Sequence, residues 1–212
     1  KVFRGDWHRA NGETVPVAIK KQRFAEGMDP EAVTEFYLEI KFLVNLSHEN
    51  VLTLVAVVPR QSALEVWILT EFLERGSLRD HWAMSLPVTD KVKLLHDVSK
   101  AMTFLHAHQP PIVHRDLKLE NCLVSKEGVC KVSDFGTTTV SSYTMTQQVI
   151  GTIHILAPEI ARRERYDESV DVYSFGISAA EFITCTSFHR ELRSQVDYDF
   201  QVLGMIMDGA RP

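Results

Sequence analysis

The sequence predicts an α+β fold with two lobes, a small one rich in strands and a larger one that is mainly helical. Short runs of β-branched and aromatic residues dominate the chain before about Thr70, and apolar residues spaced by three and four dominate it afterwards. No repeat, low-complexity tract or Gly/Ser-rich linker divides the 212 residues. We therefore expect one unit, with a small lobe over residues 1–70, a short hinge at residues 71–74 and a large lobe over residues 75–212.

Four strands are expected in the small lobe, at residues 1–4, 15–20, 51–58 and 64–69. The first two flank Asn11-Gly12, a dipeptide that favours a tight turn between strands. The last two are short apolar runs whose β-branched and aromatic content is typical of buried strands.

One helix interrupts these strands. Asp29 suits the N-cap and Pro30 the first helical position, and the helix is expected to end at about Leu46. Its apolar stripe is predicted to comprise Val33, Phe36, Ile40, Leu43 and Val44.

The large lobe begins with a long helix that starts at Thr89-Asp90 and ends before Pro110-Pro111. Its apolar stripe is predicted to comprise Val92, Leu95, Val98, Met102 and Leu105. Beyond it we expect short strands at residues 123–124 and 129–132, a hydroxyl-rich segment at 137–148, and a buried helix at 168–184.

The composition excludes several classes of protein. Hydrophobic residues make up 45% of the chain and charged residues 24%, which is ordinary globular usage and excludes wholesale disorder. The net charge of −5 gives no support to a nucleic-acid partner. No apolar run approaches the ~18 residues needed for a membrane span. The three cysteines, Cys122, Cys130 and Cys185, are too few and odd in number for a disulfide framework, so we expect free thiols and a cytoplasmic location.

Two charged residues in the small lobe are predicted to meet. Glu39 lies beside the apolar stripe of the first helix, where an unpaired carboxylate is costly and a cationic partner is expected. Lys20, at the end of the strand Val17-Ala-Ile-Lys20, is the obvious candidate. Taken alone, each residue is explained more readily as an exposed surface charge.

Three motifs in the large lobe follow one another in a fixed order. His114-Arg-Asp-Leu-Lys118 is followed by Asn121, then 13 residues later by Asp134-Phe-Gly136, and 23 residues beyond Asp134 by Ala157-Pro-Glu159. Each string alone is weak, but the ordered set, together with Lys20 and Glu39, resembles the eukaryotic protein kinase family. The resemblance covers essentially the whole chain and implies a bilobal kinase fold. The segments 110–118, 171–177 and 209–212 are most similar to the tyrosine-kinase-like group of serine/threonine kinases.

The resemblance implies a role for each of these side chains in transferring the γ-phosphoryl group of ATP. Lys20 would contact the α- and β-phosphates and be held by Glu39. Asp134 and Asn121 would hold Mg²⁺, since both offer the oxygen ligands that a hard cation requires. Asp116 would accept or orient the proton of the incoming hydroxyl.

Substrate choice and base binding are implied by further positions. Lys118 would reach the transferring phosphate and, with Thr152, favours serine or threonine hydroxyls of a protein substrate. The resemblance also implies a slot for the nucleotide base. Its expected residues are Val2 and Ala18 as roof, Leu123 as floor, the backbone of Glu71 and Leu73 at the hinge, and Thr70 at the back.

Two other roles follow from the resemblance. Leu43, Leu54, His114 and Phe135 would form an internal stack that links the lobes, so His114 is expected to be a core histidine and not a base. Arg115 would pair with a phosphorylated residue, introduced by an activating kinase or by self-phosphorylation. The candidate acceptors are Thr138, Thr139, Ser141, Ser142, Tyr143, Thr144 and Thr146.

The sequence also departs from the family pattern. The glycine-rich loop that should cover the phosphates is missing before Val2, and the final helices are missing after Arg211. The chain is therefore expected to be a partial kinase domain that binds ATP poorly, with Glu159 lacking its usual arginine partner. The alternative function is a pseudokinase-like interaction module, but Lys20, the two metal-binding residues and Asp116 are all present. No Gly-x-x-x-x-Gly-Lys-Ser/Thr loop occurs, which excludes a P-loop enzyme.

Overall fold

A four-stranded antiparallel sheet forms most of the small lobe in the computed structural model, which describes residues 2–24, 30–60, 65–82, 86–140 and 152–211. Its strands are β1 (Val2–His8), β2 (Thr14–Arg23), β3 (Leu54–Arg60) and β4 (Glu65–Glu71). Their order is β1-β2-β4-β3, so β2 and β4 are central.

The predicted strands are confirmed, with two differences in their bounds. The first hairpin is longer than expected because its turn is tight: Gly12 has φ +83°, and its N–H donates to the carbonyl of Arg9 at 3.0 Å. The third strand begins at Leu54 and not at Val51, because Val51 instead bridges to Val132 of the large lobe.

The helix of the small lobe, α1 (Pro30–Asn45), ends close to its predicted end, while the predicted N-cap Asp29 lies outside the described residues. Phe36 and Leu43 are buried as expected, but the prediction for Val44 was wrong, since it is 61% exposed. The buried face is centred on Phe36, Glu39 and Leu43, which places Val44 on the solvent side.

Six helices are described in the large lobe. They are α2 (Leu78–His81), α3 (Val88–His106), α4 (Pro158–Ala161), α5 (Ser169–Thr184), α6 (Phe188–Arg193) and α7 (Asp199–Met207). The long helix α3 and the buried helix α5 are confirmed. Within α3 the prediction for Val92 was wrong, because Val92 is 52% exposed and the buried face runs through Lys91, Leu94 and Val98.

Two small antiparallel ribbons complete the large lobe. One pairs β6 (Cys122–Val124) with β7 (Cys130–Val132), as predicted. The other pairs β5 (Ile112–Val113) with β8 (Thr139–Val140), which were not predicted as strands. All three cysteines are free, as expected. Among the described helices none is long and apolar enough to cross a membrane.

The two lobes meet along α1 and β7. Helix α1 packs on the short 3₁₀ helix at Phe135–Thr137. The N–H of Val132 donates to the carbonyl of Asn50 at 2.8 Å, and the N–H of Leu52 donates to the carbonyl of Val132 at 2.9 Å. These contacts fix the segment before β3 against β7.

Candidate active site

The loop that follows β5 is held in place by one buried carboxylate. Asp171, on α5, is 1% exposed, and its two oxygens accept the main-chain N–H groups of His114 and Arg115, each at 2.8 Å. His106 Nε2 lies 3.0 Å from the same carboxylate. Arg115 has φ +67°, a conformation that costs a non-glycine residue about 1–2 kcal/mol. Asp171 therefore fixes a strained loop immediately before Asp116.

Asp171 was not predicted as a site residue. The sequence shows an acid in the first turn of an apolar helix but not that this acid is buried, and a buried acid is seldom left unpaired. Its partners here are main-chain groups, which the sequence does not mark.

Asp116 is the centre of a hydrogen-bond cluster. One of its oxygens accepts the N–H and the hydroxyl of Thr152 at 3.1 and 2.7 Å, and the other accepts Lys118 Nζ at 2.7 Å and Asn121 Nδ2 at 3.1 Å. Burial raises the pKa of Asp116, but the hydrogen bonds from Lys118 and Thr152 and the charge of Lys118 outweigh it, so the net pKa is lowered. Asp116 is therefore held as a carboxylate.

Lys118 and Thr152 also contact each other, which the sequence did not predict. Lys118 Nζ donates to Thr152 Oγ1 at 2.8 Å as well as to Asp116. The segment 152–156 is thereby fixed against the loop at Asp116. Three groups that the sequence separates by up to 36 residues thus form one cluster.

Lys20 and Glu39 form the predicted ion pair, with 2.6 Å between Nζ and Oε2. Lys20 Nζ also lies 3.5 Å from Asp134 Oδ1 of the large lobe. Burial lowers the pKa of Lys20, but the two carboxylates outweigh it and the net pKa is raised. Burial likewise raises the pKa of Glu39, and Lys20 compensates only in part. Each charge thus offsets part of the cost of burying the other.

Asp134 is linked to Asp116 through two residues. Asn121 donates to the carbonyl of Asp116 at 2.8 Å, and its own carbonyl accepts the N–H of Ser133 at 2.8 Å and the Ser133 hydroxyl at 3.0 Å. Asp134 follows Ser133 in a left-handed conformation with φ +64°, and its side chain is 48% exposed. The residues expected at positions 20, 116, 121 and 134 are therefore joined by one continuous series of contacts.

The donor set fits a magnesium ion shared with phosphates. Asn121 uses its amide nitrogen on Asp116, so its amide oxygen is the atom available to a cation. Asp134 offers a half-exposed carboxylate, and the residue before it, Ser133, is hydrogen-bonded to the main-chain carbonyl of Asn121. Within the described ranges no group of three or more His, Cys, Asp or Glu could hold a metal by itself. Two protein oxygens completed by substrate phosphates is a usual arrangement for Mg²⁺.

The residues predicted for the base slot are brought together only in part. The strand register places Val2 opposite Lys20 and Ala18 opposite Thr70, so these side chains share one face of the sheet. Thr70 is buried, Leu123 is half-buried on β6, and Val2 is 61% exposed at the sheet edge.

The hinge backbone is partly engaged within the protein. The N–H of Glu71 donates to the carbonyl of Thr53 at 3.0 Å, and the carbonyl of Leu73 accepts the N–H of Gly76 at 3.3 Å. These two main-chain groups are therefore occupied by internal hydrogen bonds.

The internal stack is present. Leu43 and Phe135 are buried, Leu54 is half-buried, and the rings of His114 and Phe135 meet edge to face with centroids 5.3 Å apart. His114 Nε2 lies 3.0 Å from the carbonyl of Ser133, and its Nδ1 accepts the N–H of Asp116 at 3.3 Å. His114 is thus a satisfied core histidine, as expected.

Arg115 faces the start of the hydroxyl-rich segment. Its Nε donates to the carbonyl of Thr137 at 2.5 Å, and Nη1 lies 3.4 Å from the hydroxyl of Tyr166. Of the predicted acceptors, Thr138 is fully buried, so it is not open to modification in this conformation. Thr139 is half-buried in β8, and the candidates from Ser141 to Thr146 lie outside the described residues. Glu159 forms no ion pair within the described part of the chain.

Comparison of the sequence with known proteins identifies a family. The family model for protein tyrosine and serine/threonine kinase matches residues 1–210. The serine/threonine-protein kinase CTR1 of Arabidopsis thaliana is 36% identical over 190 residues, which cover 86% of this chain and 22% of CTR1. The "Probable serine/threonine-protein kinase SIS8" of Arabidopsis thaliana is 38% identical over 189 residues, covering 87% of this chain and 18% of that protein.

A similar relative comes from another organism. The "Probable serine/threonine-protein kinase drkA" of Dictyostelium discoideum is 35% identical over 189 residues, covering 87% of this chain and 28% of that protein. The chain thus spans less than a third of the length of each of these three relatives. Protein kinases use ATP, generally with Mg²⁺. The ordered motifs, the two-lobed architecture and the match over residues 1–210 agree, and the chain belongs to the protein tyrosine and serine/threonine kinase family.

Proposed function

We propose that this chain transfers the γ-phosphoryl group of ATP to serine or threonine hydroxyls of a protein substrate. The observation that carries the proposal is the cluster at Asp116, where a buried carboxylate with a lowered pKa contacts Lys118 and Thr152. A carboxylate of this kind can accept or orient the proton of an incoming hydroxyl. Lys118 lies 2.7 Å from it and is placed to stabilise negative charge at the same point.

The nucleotide would lie between the sheet and the ribbon β6–β7. Lys20 would bind its α- and β-phosphates, because Glu39 and Asp134 hold the ammonium with 2.6 and 3.5 Å contacts at the junction of the two lobes. Asp134 and Asn121 would hold Mg²⁺, which when bound neutralises charge on the phosphate oxygens. Val2, Ala18, Thr70 and Leu123, with the backbone of Glu71 and Leu73, would enclose the base.

The preference for serine and threonine is supported by the contact between Lys118 and Thr152, at 2.8 Å. The names of the relatives CTR1, SIS8 and drkA point to the same acceptor class. Control by phosphorylation at one of the hydroxyl residues in the range 139–146 is part of the proposal, with Arg115 as the binding group and another kinase or the chain itself as the source. Mass spectrometry of active protein that finds no phosphate there would exclude this control.

The test is transfer of radiolabelled phosphate from ATP to a generic protein substrate. At an ATP concentration high enough to offset the weak binding expected of a partial domain, wild-type chain should label serine and threonine. Asp116→Asn should lower the rate by at least about a hundredfold because the proton acceptor is lost. Asp208→Asn makes the same change at an exposed position and should retain full activity. Equal rates for wild type and Asp116→Asn would remove Asp116 from this role. No transfer by wild type, with ATP still bound, would favour a kinase-like interaction module.

A further inference from the structure

One ion pair joins the hinge to the large lobe and has no part in the function proposed above. Lys131 Nζ lies 2.7 and 3.0 Å from the two carboxylate oxygens of Glu71. The side chains are only 15% and 28% exposed, respectively. Glu71 is the last residue of β4 and the first of the hinge, and Lys131 is the middle residue of β7. The pair therefore connects the two lobes across 60 residues of sequence.

The register of the ribbon β6–β7 shows which way Lys131 faces. Lys131 is opposite Leu123, so the two side chains share one face of the ribbon. Their neighbours Cys122, Val124, Cys130 and Val132 alternate onto the other face and are buried. Leu123 is the proposed floor of the base slot. Lys131 thus extends from the face of the ribbon that carries Leu123 to Glu71 at the hinge.

Glu71 is held on a second side by the segment before β3. Its Oε1 accepts the N–H of Thr53 at 2.8 Å, and its own N–H donates to the carbonyl of Thr53 at 3.0 Å. Removing the ammonium would leave Glu71 attached to the small lobe alone. The hinge would then lose its one ion pair to the large lobe among the described residues.

We propose that Lys131 is a positioning residue for the nucleotide base, acting through Glu71. The inference rests on the proposed function, because it assumes that a nucleotide binds between the hinge and Leu123. The ion pair fixes the hinge backbone at a set height above Leu123, and this spacing determines how well a planar base fits. The groups that act on the transferring phosphate, Asp116 and Lys118, contact neither member of the pair. Loss of Lys131 should therefore weaken nucleotide binding and leave the transfer step unchanged.

The experiment compares Lys131→Met, Lys131→Arg and Lys126→Met in the full chain. Lys126 lies in the exposed turn of the same ribbon, so Lys126→Met is a matched control. Lys131→Met should raise the KM for ATP and the Kd for ADP with Mg²⁺ by roughly three- to tenfold, with kcat unchanged. Lys131→Arg keeps a cation and should restore both constants to within about twofold. Lys126→Met should behave as wild type.

A double-mutant cycle with Glu71→Gln tests whether Lys131 acts through that residue. The two single variants should raise the Kd for ADP by similar factors, and the double variant should bind no more weakly than either one. Effects that multiply would overturn the proposal, as would an unchanged Kd in Lys131→Met or a fall in kcat at constant KM. Thermal melting of each variant without nucleotide identifies one that fails to fold. If Lys131→Met fails to fold, the Kd for ADP of Lys131→Arg decides whether the proposal holds. If wild type binds ADP but transfers no phosphate, the proposed function fails while this comparison still stands.

Discussion

Replacing Asp171 by alanine should destabilise the fold and abolish activity together, because one carboxylate serves both. Its two oxygens accept the buried main-chain N–H groups of His114 and Arg115, each at 2.8 Å. An unsatisfied buried donor costs about 1–3 kcal/mol, so leaving two should lower the free energy of unfolding by about 2–6 kcal/mol. Small domains are stable by only about 5–15 kcal/mol, so this loss is a large fraction of the total.

The loop at Asp116 should suffer as well as the fold. Arg115 holds φ +67° against its intrinsic preference, and the bond from its N–H to Asp171 is one of the contacts that maintain it. Without that bond the loop can relax, and Asp116 moves with it. Asp171→Asn retains one acceptor oxygen but turns an amide group toward the other donor, so it should lose about half as much stability and most of the activity.

Urea denaturation followed by tryptophan fluorescence gives the free energies, with phosphate transfer measured on the same preparations. An unchanged m-value is required, so that a lower midpoint reports stability and not a changed unfolded state. Asp208→Ala, at an exposed aspartate, is the control and should stay within about 0.5 kcal/mol of wild type. A loss below about 1 kcal/mol in Asp171→Ala would refute the reasoning, since water or a rearranged loop would then satisfy both donors.

Three other perturbations have defined outcomes. Lys118→Met should raise the pKa of Asp116 and move the acid limb of the pH–rate profile to higher pH, because a cation that favours the carboxylate is lost; a limb that stays in place contradicts this. Burial holds the folded-state pKa of Glu39 above its ordinary value. The contribution of this carboxyl to the free energy of unfolding is therefore largest in acid and is lost as the pH rises through the raised, folded-state pKa. The difference in the free energy of unfolding between wild type and Glu39→Gln should therefore shrink with rising pH, and a difference that grows with pH would be inconsistent. The variant should also transfer phosphate more slowly, because Lys20 loses its partner. Asp134→Asn should raise the half-saturating Mg²⁺ concentration by about tenfold or more with little change in melting temperature, since this side chain is 48% exposed; an unchanged Mg²⁺ titration would remove it from the metal site.

The small-lobe strands and the two long helices could be predicted because alternation and helical spacing are local properties of the sequence. Both errors within the helices have one cause. The buried faces of α1 and α3 each include a charged residue, Glu39 and Lys91, which a count of apolar positions leaves out. Most members of both predicted stripes are buried or half-buried, but leaving out these charged residues let each stripe take in one neighbouring apolar residue that is exposed, Val44 in α1 and Val92 in α3.

Some contacts of the candidate site could be predicted from residue types and others could not. The pairing of Lys20 with Glu39 could be predicted, since a buried carboxylate demands a cation and the sequence offered one. The role of Asp171 could not, because its partners are main-chain N–H groups that every residue but proline carries. Lys131 was missed for a related reason, since its partner Glu71 was considered only for its backbone. In this protein, therefore, the groups proposed to act on phosphate are recognisable by residue type. The groups that hold them in place become visible only once the fold brings distant segments together.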